Sequence, residues 1–407
     1  MTGVSTSYGR AIIGGPRDGA DGARPLRLRT GAARRMITAV LVVAAVAAGI
    51  AALSLAGAHR SSLFPGATAA AMNPQARARS DSSAFLHRFL APNGRVVRWD
   101  QGGDTVSEGQ AYAMLLAVAL GRPHQFAAAW RWEQAHLRQP DGLFAYHWSK
   151  GAVVGTQSAS DADMDTAWAL VLAGQRFGQP AYRIAGQQVA TAILNQESTV
   201  VAGRLELVAG PWARTGPVVV NPSYLAPEAM AALGQATGEP RWSELASDTT
   251  ALVTAVAAHD RGGLLPNWVD LAPDGSAQPI GTPSGSGPAR YGLDAQRAPV
   301  WLAAGCTEGD RRVAARAWPT LDHAAKSGAG VSYTLSGRVV GGAVNPMGLV
   351  AAAAAADASG HAGAANRLLG QADRQAGAHH TYYGDAWTAL GRVLLDTSWL
   401  SSCSSSA

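Results

Sequence analysis

The sequence predicts an all-α protein, a closed (α/α)6 barrel of six helical hairpins preceded by an N-terminal hydrophobic signal or anchor segment. Three observations carry this: a helical texture over most of the chain, a repeated Gly-x-Pro punctuation, and a polar residue at the head of alternate helices. From Ser82 onward Ala, Leu, Gln, Glu and Arg fill periodic segments, and Gly, Pro, Asn and Asp fill the gaps between them. Gly121-Arg122-Pro123, Gly178-Gln179-Pro180 and Gly238-Glu239-Pro240 each stand between two such segments. Glycine suits the left-handed position just past a helix end and proline the first turn of the next helix, so each triplet predicts an antiparallel hairpin. The triplets recur at roughly sixty-residue intervals, with looser versions at Gly305 and Gly360, which is the spacing of a repeat architecture. Helices are expected near 81–90, 107–121, 124–137, 163–178, 180–196, 224–236, 240–257, 294–305, 309–326, 344–358, 360–375 and 381–395. An open superhelix also accommodates such pairs. A closed ring better tolerates divergent repeats and long loops on one rim, and the ring is preferred. The stretch 197–222, with Leu205, Leu207 and Val218 to Val220, suggests a small hairpin of strands.

Length and charge divide the chain. The 407 residues carry a formal charge of +5, but the excess is local: Arg10, Arg17, Arg24, Arg27, Arg29, Arg34, Arg35 and Arg60 face only Asp18 and Asp21 in the first sixty residues. The remainder is close to neutral, which removes the main support for a nucleic-acid partner. Met36 to Ala58 contains no charged residue and is long enough to span a bilayer. A basic leader before an apolar run places the downstream chain outside the cytoplasm, whether the segment is cleaved at Ala56-Gly57-Ala58 or Ala69-Ala70-Ala71 or retained as an anchor. A buried core helix is a poor reading, because the run has no polar face. The expected organisation is a basic leader at 1–35, the apolar segment at 36–58, a linker at 59–80, one helical domain at 81–397 and a frayed Ser-rich tail at 398–407. Cys306 and Cys403 are the only cysteines, so no disulfide framework or thiolate cage is expected to carry stability.

Chemistry concentrates where the first helix of each pair begins. Glu108, Asp161, Asn221, Asp294 and Asn345 each precede a turn glycine by one helix length, so a ring of like-oriented pairs places all five on one rim. Loops 138–162, 197–223 and 259–293 surround that rim, and Phe144, Tyr146, His147, Trp148, Trp212, Tyr224, Trp268 and Tyr291 lie in them or at their edge. Aromatic planes beside carboxyls form a surface suited to sugar rings. Trp130, Trp132, Trp168 and Trp387 lie inside helical segments and read as core.

Ser107 and Gln110 have the spacing of a capping box, which places Glu108 in a first helical turn, where an acid ordinarily complements the helix dipole. A proton-donating role needs burial or a neighbouring carboxylate, and Asp161 or Asp163 could supply the second. Asp161-Ala162-Asp163-Met164-Asp165 lacks the Gly and distant Glu of a calcium loop, and one of its three acids is expected to cap a helix. Arg297, one turn beyond Asp294, is expected to hold that carboxylate ionised. Nothing demands a metal or an organic cofactor.

Ser107-Glu108-Gly109-Gln110-Ala111-Tyr112, Gly142-Leu143-Phe144-Ala145-Tyr146, Ala159-Ser160-Asp161-Ala162-Asp163 through Trp168 to Phe177, Asn221-Pro222-Ser223-Tyr224 and Asp294-Ala295-x-Arg297 together resemble glycoside hydrolase family 8, in order from about Phe85 to Leu395. The resemblance implies an (α/α)6 barrel and inverting, endo-acting hydrolysis of β-1,4-glucan. It makes Glu108 the proton donor, Asp294 the general base and Asp161 the signature aspartate that holds a distorted sugar. Arg297, Tyr224 and Tyr146 match substrate-binding positions, and Trp148, Trp212 and Tyr382 are counted with them. Leu293 stands where many members have Tyr, and Thr166 departs from the usual Ile or Met. The expected partner is a β-glucan polysaccharide, with a monomeric catalytic domain, and membrane contact only through an uncleaved N-terminal segment. The rivals are the same mechanism on xylan, chitosan or mixed-linkage glucan, and a non-catalytic glycan-binding component of a cellulose-export system.

Overall fold

The computed structural model describes residues 73–327, 332–341 and 345–403. The basic leader, the apolar segment 36–58 and most of the expected linker lie outside the described residues. No helix among the described residues is long and apolar enough to cross a membrane. The end of the linker is helical instead: α1 (Pro74–Phe89) begins with Asn73 as its N-cap, the side chain accepting from the Ala76 N–H at 2.7 Å.

Each Gly-x-Pro triplet joins two helices. Gly121, Gly178 and Gly238 adopt φ values of 67°, 63° and 68°, the left-handed region that L side chains avoid. They link α2 (Ser107–Ala119) to α3 (Pro123–His136), α4 (Ser160–Arg176) to α5 (Pro180–Gln196), and α6 (Pro227–Thr237) to α7 (Arg241–His259). The fourth pair departs from expectation. After α8 (Arg297–Ala303) the segment expected as one helix is broken at Ala317 into α9 (Glu308–Arg316) and α10 (Trp318–Lys326). Pro319 in the first turn of α10 has no N–H with which to continue the α9 ladder. The fifth pair is α11 (Pro346–Ala358) with α12 (Ala362–Ala378). The sixth hairpin is made by the ends of the domain, with α13 (Tyr382–Asp396) packing along α1.

The inner helices α2, α4, α6, α8, α11 and α13 contact one another in ring order, and α13 returns to α2. Their composition follows from that position, since a helix enclosed by neighbours and an outer layer has no wet face. In α2 every residue except Glu108 is buried, and the Ala351–Ala356 run of α11 is buried throughout. Trp130, Trp132, Trp168 and Trp387 are core, as expected.

Short antiparallel sheets stiffen the rim loops. β1 (Thr105–Val106), β2 (His147–Ser149) and β3 (Ala152–Gly155) form one. β4 (Ser198–Val201) and β5 (Arg204–Leu207) make the hairpin expected in 197–222. β6 (Val218–Val220) pairs instead with β7 (Trp268–Leu271), which pairs with β8 (Ala277–Ile280). β9 (Ser332–Tyr333) and β10 (Val339–Gly341) complete the set among the described residues.

The tail corrects two expectations. Cys306 and Cys403 form a disulfide across 97 residues, so packing is not the only cross-link. The tail is tied down rather than frayed as far as Cys403: Leu400 is buried, Ser402 N–H donates to Glu228, and the Ser402 carbonyl accepts from Gln235 Nε2 at 2.7 Å. The cause is apolar anchoring that the serines conceal. Trp399 packs against the core with Arg79 over its ring at 4.6 Å.

Candidate active site

The heads of the inner helices share one rim, because each is the first member of an antiparallel pair. Glu108 is the second residue of α2, Asp161 the second of α4, and Asp294 lies three residues before α8. What fixes Glu108 is a sheet rather than a cap. β1 runs directly into α2 and pairs with β2, and the Ser107 N–H donates to the Tyr146 carbonyl at 3.0 Å. The capping box expected of Ser107 and Gln110 is absent, with Val106 at the N-cap position. Gln110 is fully buried and donates to the Gly94 and Ala129 carbonyls at 3.0 and 3.1 Å, anchoring the segment after α1. None of Asp161, Asp163 and Asp165 caps α4 either, whose N-cap Ala159 makes no side-chain bond.

Arg297 organises the centre. Buried to 1% exposure, its guanidinium donates to Asp161 Oδ2 at 2.7 Å, to Glu108 Oε2 at 3.4 Å, to Tyr112 Oη at 3.2 Å and to Ser223 Oγ at 2.9 Å. The ring of Tyr224 lies beneath it at 5.1 Å. This differs from the expected pairing with Asp294. Arg297 reaches only the Asp294 main-chain carbonyl, at 3.4 Å, because its side chain points across the barrel toward α2 and α4 rather than back along its own turn.

Burial raises the Glu108 carboxyl above the usual glutamate range; Arg297 pulls it back, Asp161 adds to the rise, and Arg98 and the hydroxyl of Tyr382, 3.3 Å from Oε1, lower it. Asp294 is also raised by burial and pulled back by Arg297. Asp294 Oδ1 is buried and accepts no hydrogen bond from any described residue. The loop carrying it is held by Asn267 Oδ1, which accepts from the Gly292 and Ala295 N–H groups at 2.9 and 3.1 Å, and by Tyr383, whose hydroxyl donates to the Leu293 carbonyl at 3.1 Å.

The aromatic set divides. Tyr382 touches Glu108, and Tyr224 touches Arg297 and meets Trp268 edge-on at 6.1 Å. Tyr146 lies against Gly155, where any side chain would collide with its ring. Half-buried Trp212 lies in a turn packed against the Ser158 segment that leads into Asp161. Trp148 is not brought to the carboxyls: Arg95 covers its ring at 4.2 Å and Trp132 meets its edge at 5.5 Å. Phe144 and Tyr291 are core, and His147 is engaged with Asp104 at 2.8 Å. Sequence reasoning missed Tyr112, Ser223, Asn267 and Tyr383, and with them Asp165, a buried carboxyl on which the charges of Asp161, Arg297 and Glu108 act. Tyr112 and Asp165 stand four residues beyond Glu108 and Asp161, one turn deeper on the same helical face, and that spacing was the available signal. Asn267 lies in a loop with no such signal.

An (α/α)6 barrel with three carboxyls and an arginine at one aromatic-lined rim defines a class, the helical-barrel glycoside hydrolases. The family model for glycosyl hydrolases family 8 matches residues 58–397, and the chain belongs to that family. It is 30% identical over 241 residues to an endoglucanase of Cellulomonas uda and 31% identical over 224 residues to a probable endoglucanase of Novacetimonas hansenii. These alignments cover 58% and 54% of this chain and 66% and 64% of the relatives, so it spans just under two thirds of their lengths. Among solved structures, the endo-β-1,4-glucanase CMCax of Acetobacter xylinum superposes with a TM-score of 0.67 at 24% identity, covering 78% of this chain and 97% of that one. The β-1,3-1,4-glucanase of Paenibacillus sp. X4 gives 0.70 at 21% identity, covering 80% and 93%. At these identities the structural likeness concerns the fold.

Proposed function

We propose that the protein is an endo-acting, inverting hydrolase of β-1,4-glucan chains, with Glu108 as general acid, Asp294 as general base and Asp161 as the residue that holds the reacting sugar. The observation that carries the reading is Arg297, which joins Asp161 and Glu108 over the ring of Tyr224 and begins the helix that Asp294 precedes. Burial favours a protonated Glu108, as a proton donor requires. Asp294 keeps an unpartnered oxygen, as a base acting on water requires. Glu108 protonates the leaving glycosidic oxygen while Asp294 takes a proton from a water attacking the opposite face, which inverts the anomeric carbon. Tyr382 and Tyr224 flank the carboxyls, and Tyr146 and Trp212 extend the surface along the rim. The endoglucanase names of the curated relatives support the glucan substrate. The Arg-rich leader and apolar segment support export of the domain.

Glu108→Gln tests the assignment. The expected result is loss of nearly all reducing-end release with cellooligosaccharide binding retained, while retained turnover identifies another acid. A panel of soluble cellulose, xylan, chitosan and mixed-linkage glucan, run on the unmodified enzyme, fixes the polymer. Binding without turnover on every polymer favours the non-catalytic alternative.

A further inference from the structure

Two residues from Asp161, a second pair of carboxyls is buried with no role in that chemistry. Asp163 and Glu197 both have 0% exposure, and each is a carboxyl neighbour whose charge acts on the other. Asp163 Oδ1 accepts from the Phe144 N–H at 2.9 Å. Asp163 Oδ2 and both oxygens of Glu197 have no hydrogen-bond partner among the described residues. The charged groups acting most strongly on the pair are Asp161 from the same helix and Asp141 from the loop after α3, and Glu133 of α3 faces Asp163; all three are acids. Two ionised carboxylates are acceptors only and repel at close range, so two such neighbours, fully buried with three of their four oxygens unpartnered and only acids around them, require a proton.

The pair also stands at a junction. Asp163 belongs to the first turn of α4, which presents Asp161 to the rim. Phe144 begins the segment that delivers Tyr146 and then β2. Glu197 ends α5 and enters β4, and its carbonyl accepts from the Val208 N–H at 2.8 Å at the far end of the hairpin. The Val208 carbonyl in turn accepts from Ser160 Oγ at 2.6 Å. The two carboxyls therefore tie three segments together behind Asp161.

We propose that Asp163 and Glu197 share a single proton, and that this acid–carboxylate pair is a positioning element that holds Asp161 against Arg297 and limits the stability of the fold at alkaline pH. The proposal rests on the catalytic reading only for its activity readout. Burial raises both carboxyls well above their usual range. Groups raised in the folded state contribute stability that is fully present at low pH and is lost as pH rises through their folded values. Loss of the shared proton leaves two buried negative charges behind the rim, and the three segments separate.

The test compares unmodified enzyme with Glu197→Gln and Asp163→Asn in thermal unfolding and kcat across neutral to alkaline pH. In either variant an amide N–H₂ donates permanently to the remaining carboxylate. The expected result is a kcat within about tenfold of wild type at neutral pH, the scale of one repositioned hydrogen bond, and an alkaline loss of Tm displaced to higher pH. Curves parallel to wild type overturn the proposal. If neither variant folds, the unmodified protein decides: a Tm independent of pH over that range overturns it. So does a stoichiometric divalent cation whose removal by chelation collapses the Tm, because a cation would replace the proton. The Tm readout needs no substrate, so it stands even if the glucan assignment fails.

Discussion

Replacing Arg297 with Met removes one guanidinium from contact with two acids, a phenol and a serine. Removing one partner of a buried ion pair costs about 3–5 kcal/mol, because the other charge is left uncompensated. About 3 kcal/mol of that appearing at the transition state lowers kcat/KM by about 10²-fold. The pH profile is the sharper readout. Arg297 lowers both Glu108 and Asp294 against the rise that burial imposes, so its loss moves both upward. The acid limb follows the base becoming ionised and the alkaline limb follows the acid losing its proton. The whole bell therefore moves to higher pH in Arg297→Met. Arg297→Lys keeps the charge without the planar fork, so it restores the position of the bell but not the full rate. Reducing-sugar release on soluble cellulose across pH measures all three enzymes. A Met variant whose rate falls while the profile stays in place, or moves to lower pH, refutes the electrostatic role.

The same geometry sets two further outcomes. Cys403→Ser, or reduction of the native chain, releases a closure of 97 residues and destabilises the barrel by about 2–4 kcal/mol, read as a lower denaturant midpoint with kcat unchanged at low temperature; an unchanged midpoint refutes the tail's contribution. Tyr383→Phe removes the donor to the Leu293 carbonyl and loosens the turn that carries Asp294, so kcat falls by about fivefold to tenfold while KM holds. A change in KM alone would assign Tyr383 to substrate contact instead.

Much of the ring was legible because its signals are local. Gly121, Gly178 and Gly238 need only their own backbone conformation and the proline two residues on to mark a hairpin, and the first two turns place Glu108 and Asp161 at the heads of inner helices. What was not legible depends on residues distant in sequence. Gln110 looks like a capping partner until the Gly94 and Ala129 carbonyls approach it. Arg297 looks like the partner of Asp294, one turn away, and only the barrel's interior brings Asp161 nearer, at 2.7 Å. Trp148 is aromatic and in a loop, yet Arg95 and Trp132 occupy it. Cys403 sits among serines, and its partner is 97 residues earlier. In each case periodicity describes one element correctly and says nothing about what another element presents to it.

The most direct test of the central claim is anomer-resolved proton NMR of cellooligosaccharide hydrolysis, recorded before mutarotation equilibrates the products. Single displacement by water, with Glu108 as acid and Asp294 as base, predicts that the new reducing end appears first as the α-anomer. First appearance of the β-anomer contradicts the account, because retention requires a covalent intermediate on a carboxylate and gives Asp294 a different role.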